Sequence, residues 1–129
     1  MESNAILKSY LLDKGASDLA DRNLLEVLKE LLRKENHGIR SDGVEECSYI
    51  EVKTLPLSAI AVGNSDHFNR VRPRDLISPR GGALITGVVI RSSRGDRIVD
   101  GYHRLKHSLS SGRADGTFVV ISAMEIEEN

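Results

Sequence analysis

The feature that most limits how this chain can fold is a run of element signals in its C-terminal third. Leu84 to Arg91 (LITGVVIR) is dense in β-branched residues, Ser92 to Asp96 (SSRGD) forms a tight turn, and Arg97 to Val99 begins a second strand. Gly101 breaks that strand. Tyr102 to Ser111 then reads as a helix with Leu105 and Leu109 on one face, closed by Gly112. Thr117 to Ser122 (TFVVIS) is a last strand. A hairpin, a helix and a further strand predict a small α/β (α+β) domain with a mixed sheet.

Upstream, residues 2 to 36 read as two helices. Ile6, Tyr10 and Leu11 share a face of the first, Leu7 and Leu12 widen it, and Gly15 stops it. Ser17 or Asp18 is the expected cap of the second, whose apolar set is Leu24, Leu25, Val27, Leu28, Leu31 and Leu32. Glu26 with Lys29, and Glu30 with Lys34, are expected to pair on its wet side. This N-terminal helical hairpin either covers a sheet or docks a partner protein or a second copy. Asn36 to Cys47 is a polar linker, and two short strands follow at Tyr49 to Lys53 and Leu57 to Val62, separated by Pro56 or with Pro56 starting the second. Gly63 to Arg80 reads as irregular, with a brief helical turn at Asp75 to Ser78. The expected division is therefore 1–47, hairpin and linker, and 48–129, the α/β domain.

Composition narrows the setting. Cys47 is the single cysteine, so an internal disulfide and a cysteine-rich zinc site are excluded. The N-terminus lacks the pattern of a secretory signal and no apolar run reaches about 18 residues, so a cytoplasmic protein without a membrane partner is expected. The net charge of −1 conceals a basic middle: from Thr54 to Thr117 ten Lys and Arg stand against five Asp. An anionic ligand, nucleotide or nucleic acid, suits that middle, as do scattered solvated arginines.

The chemistry concentrates at Asp100-Gly101-Tyr102-His103-Arg104. A helix N-terminus carries N–H groups without intrahelical acceptors and a partial positive charge, and so attracts anions. Gly101 would let the backbone turn and a phosphate approach, His103 and Arg104 would donate to it, and Asp100 would cap the following amides. A plain corner with an exposed arginine is the competing reading. His103 with His107 is spaced to hold a metal but has no third ligand, so no metal site is expected; His37 and His67 are expected in surface loops. Ser78 to Gly82 is either a phosphate cradle or a connector, and Arg70, Arg72 and Arg74 would share one side of an extended chain. Few aromatics stand near enough to stack bases, which disfavours sequence-specific RNA binding.

The run VVIRSSRGDRIVDGYHRLKHSLSSGRADGTFVVI, with His67-Phe68-Asn69-Arg70 and Gly82-Ala83-Leu84-Ile85 upstream, resembles the ParB/sulfiredoxin superfamily over about residues 50 to 122. The turn is similar to that of its free-serine-kinase members. The resemblance implies a nucleotide site for ATP, ADP or CTP, with Mg²⁺ held mainly through the phosphates. Gly101, Tyr102, His103, Arg104, Arg70, Gly81 and Gly82 would bind the nucleotide. Asp66, Asp100, His103 or Glu51 would serve catalysis in a phosphotransferase or nucleotide hydrolase. Two departures matter: Tyr102 occupies the place of sulfiredoxin's cysteine, and no helix-turn-helix signal accompanies the domain. Sulfiredoxin chemistry is therefore not expected. A non-catalytic nucleotide-sensing or protein-interaction module, and a ParB-like DNA binder or nuclease, are the alternatives.

Overall fold

The computed structural model describes residues 2–17, 19, 23–35, 43–62, 65–73 and 85–126. Helices α1 (Glu2–Asp13) and α2 (Leu24–Glu35) come first. Strand β1 (Tyr49–Pro56) leads through a short 3₁₀ turn into β2 (Ile60–Ala61) and helix α3 (Ser65–Arg70). Strands β3 (Gly87–Ser92) and β4 (Gly95–Asp100) form a hairpin, followed by α4 (Tyr102–Ser110) and β5 (Asp115–Ser122).

The strands form a five-stranded mixed sheet in the order β1-β5-β3-β4-β2. β1 with β5 and β3 with β4 are antiparallel, whereas β3 with β5 and β2 with β4 are parallel. The central strands are buried on both faces, as their near-continuous β-branched runs imply. Alternate residues feed two cores. Val88, Ile90, Val99, Val119 and Ile121 meet Leu7, Tyr10, Leu11, Leu28 and Leu32 of α1 and α2 on one face. Val89, Ile98, Phe118 and Val120 meet Leu105 of α4 on the other, with Phe68 of α3 packed alongside. The first two helices thus cover the sheet, and one hydrophobic cluster joins them to the strands beyond residue 47.

Several expectations change. Asn23, not Ser17 or Asp18, caps α2: its Oδ1 accepts from Leu25 N at 2.9 Å and Glu26 N at 3.2 Å. Lys29 is not on the wet side. It is buried and donates to Glu45 O at 3.1 Å, with Glu26 at 3.4 Å, because its long stem lies along the core while its amine finds a carbonyl. β1 runs unbroken to Pro56, which is tolerated at the strand end where a missing N–H costs nothing. α3 replaces the irregular stretch, and His67 belongs to it. Its cause is distant in sequence: Lys106 of α4 donates to Phe68 O at 2.9 Å and Asn69 O at 2.8 Å, placing a cation at the helix's C-terminal carbonyls. On α4, Leu105 and Ser108 are buried, and Leu109 is 43% exposed. The helical turn at 75–78 lies outside the described residues. Among the described residues no helix is long and apolar enough to cross a membrane.

Candidate functional site

The junction of β4 and α4 is set by backbone packing. The β3–β4 register slips between Val88 and Val89, with Val88 opposite Asp100 and Val89 opposite Ile98, so Val99 is an extra residue on β4 just before the corner. Gly101 sits there at φ +100°, a left-handed value that L side chains rarely adopt. A Cβ at Gly101 would lie 2.6 Å from Gly87 Cα and closer still to Thr86 O. The glycine is thus required by the turn and by the adjacent strand. The space in its Cβ direction is filled by Thr86 and Gly87, and the sharp turn expected at Gly101 is present.

α4 starts from this glycine, whose carbonyl accepts the first helical bond, from Leu105 N, at 2.9 Å. No side-chain hydrogen bond caps the helix. The first-turn N–H groups of Tyr102, His103 and Arg104 have no acceptor within the helix itself. Asp100, Gly101, Tyr102, His103 and Arg104 line a cleft of about 230 Å³. Thr86 lines it with them, together with Tyr10 and Asp13 of α1 and Lys14 just after it.

The side chains around the cleft are held in place. Asp100 does not cap α4. Its Oδ2 accepts from Tyr10 Oη at 2.8 Å and lies 2.6 Å from Lys14 Nζ, because α1 brings a hydroxyl and an ammonium to a carboxylate already at the corner. Lys14 also sits 5.7 Å from the centroid of the Tyr10 ring. Arg104 donates through Nη1 to Ile85 O at 2.8 Å, so one end of the guanidinium is anchored on the strand while the residue lines the cleft. His103 Nδ1 donates to Arg72 O at 2.8 Å, which fixes the tautomer of the neutral ring and leaves Nε2 as its other polar atom. Tyr102 Oη donates to Ile98 O at 3.3 Å, and its ring tilts 53° against Phe68 at 6.5 Å. Burial pushes the Tyr102 phenol above its ordinary range, with Asp100 reinforcing and Arg97 opposing the shift. Lys14 and Arg104 balance Asp13 and Asp100 in formal charge, with the N-terminus of α4 beside them.

Of the residues expected at the site, Asp100, Gly101, Tyr102, His103 and Arg104 come together. Asp66 and Arg70 are exposed on α3, and Glu51 stands on β1; none of the three lines the cleft. Gly81 and Gly82 lie outside the described residues. Sequence reasoning missed Tyr10, Asp13, Lys14 and Thr86. Tyr10 did carry a signal: it is the one polar-tipped side chain in an otherwise aliphatic stripe, and at 3% exposure its hydroxyl needs a partner. Of the basic middle, Arg91 is paired with Asp96 through two bonds of 2.9 and 3.0 Å. Cys47 is buried on the α1–α2 side, and burial raises its thiol above the usual value, which disfavours the thiolate. Among the described residues no group of three or more His, Cys, Asp or Glu could hold a metal ion. No family model matches the chain, and no curated protein or solved structure matches it either.

Proposed function

We propose that the head of α4 is the phosphate site of a nucleotide-binding domain of the ParB/sulfiredoxin type. One observation carries this reading: a helix N-terminus without a side-chain cap opens, beside Arg104 and Lys14, into a concave cleft. Phosphate oxygens accept from the first-turn amides, and Arg104 contributes further donors while Ile85 O keeps it oriented. The volume of 230 Å³ falls below the roughly 300–1,000 Å³ of whole-ligand pockets, so the cleft takes the phosphoryl groups and leaves ribose and base at its mouth. Mg²⁺ would be held mainly through the phosphates, since the Asp100 carboxylate in the cleft is taken up by Lys14 and Tyr10.

A thermal-shift screen against ATP, ADP, CTP and GTP, each with and without Mg²⁺, tests the proposal. The binding nucleotide raises the melting temperature by mass action, and Arg104→Ala removes that rise while the protein stays folded. Four nucleotides without effect, or an undiminished shift in Arg104→Ala, would overturn it.

A second reading, phosphoryl transfer, is favoured by the placement of Asp13 and Asp100 in the same cleft as Arg104. An acceptor hydroxyl beside either carboxylate would have a proton acceptor at hand, with catalysis otherwise resting on position and charge. Release of phosphate or diphosphate from the bound nucleotide supports this reading. Binding without release leaves a sensing module.

A further inference from the structure

We propose that two copies of this chain associate through β1, edge to edge, in a single antiparallel register centred on Val52. Among the described residues β1 is an edge of the sheet and pairs only with β5, along all eight of its residues from Tyr49 to Pro56. The opposite edge, β2, has two residues. Long edge strands template further pairing unless something blunts them. Here the charges on the edge select a partner.

Glu51 and Lys53 are two apart, so they share the sheet face that also carries Leu55, and both are half-buried. Neither makes a salt bridge with another described residue. In a two-fold pair centred on Val52, Glu51 of each copy lies opposite Lys53 of the other, twice over by symmetry. Tyr49, 43% exposed, then lies opposite Leu55, and Ile50 opposite Thr54. Sliding the pair by one step in either direction sets Glu51 against Glu51 or Lys53 against Lys53. The centred register is therefore the one in which opposite charges meet. On the other face Ile50 and Val52, partly buried against the α1–α2 core, would bring Val52 onto Val52 at the dyad and remove more apolar surface from water. This inference does not depend on the nucleotide reading.

Sedimentation velocity on the 129-residue chain tests it, with circular dichroism confirming that each variant is folded. The wild type sediments as a dimer. Glu51→Lys and Lys53→Glu each place like charges opposite one another twice and weaken the dimer by about tenfold or more. An equimolar mixture of the two variants forms a heterodimer, because the altered position 51 of one chain then faces the altered position 53 of the other with opposite charge, and the unaltered Lys53 and Glu51 still face each other. The doubly exchanged chain recovers the dimer for the same reason. A wild type that remains monomeric at every concentration, single variants that associate like the wild type, or a mixture and a double exchange that both fail to recover association would each overturn the proposal.

Discussion

Helices α2 and α4 begin in opposite ways. α2 starts from Asn23, whose side chain accepts from the amides of Leu25 and Glu26, and its N-terminus is closed by its own sequence. α4 starts from Gly101, which has no side chain to fold back, and its N-terminus faces a cleft rather than a cap. The nearest carboxylate, Asp100, is one residue from the amides yet is turned toward Tyr10 and Lys14. Proximity in sequence would have made Asp100 the cap; tertiary structure gives it to α1. One helix start is thus a stability device complete in itself, and the other carries no side-chain cap, which is where we propose that an anion binds.

That contrast can be broken first at Gly101. Gly101→Ala drives a Cβ into Thr86 O and Gly87 Cα and holds a left-handed φ, so we expect a stability loss of about 3–5 kcal/mol in urea denaturation, from strain and overpacking together. A loss near zero would mean the corner is loosely packed. Arg104→Ala comes next. Removing charge-assisted bonds worth about 1.5–3 kcal/mol weakens nucleotide binding by about ten- to a hundredfold in calorimetric titration, with a smaller loss of stability from the missing bond to Ile85. The control at the other helix is Asn23→Ala, expected to lower stability by about 1 kcal/mol and to leave nucleotide affinity unchanged. An equal effect of Asn23→Ala on both would dissolve the distinction between the two helix starts. Tyr10→Phe is the mildest. It takes one of two partners from Asp100 and lowers stability by about 0.5–1.5 kcal/mol, readable as a drop in melting temperature.

The parts of the molecule that were legible in the sequence are those whose causes are local. The β3–β4 hairpin, the break at Gly101, the helix after it and the last strand all follow from β-branched runs and turn residues close together. The apolar stripe of α2 was equally plain. What escaped depends on partners far away. α3 is six residues long and receives a C-terminal cation from Lys106, which no local pattern announces. The turn at Gly101 was legible, but its close packing on Gly87, fourteen residues earlier, is visible only in the folded sheet. A third of the cleft's lining residues, Tyr10, Asp13 and Lys14, come from α1 and the residue after it, which sequence reading assigned to a separate hairpin. Asp66, chosen for its chemistry alone, stands on α3 away from the cleft.

The most direct test follows the backbone amides themselves. In an ¹⁵N-labelled sample titrated with the nucleotide that stabilises the protein, the largest chemical-shift changes should fall on Tyr102, His103 and Arg104 and on Lys14 across the cleft, and Asn23 to Glu26 should stay still. Saturable binding that leaves residues 101–104 unmoved would contradict an anion site at the head of α4.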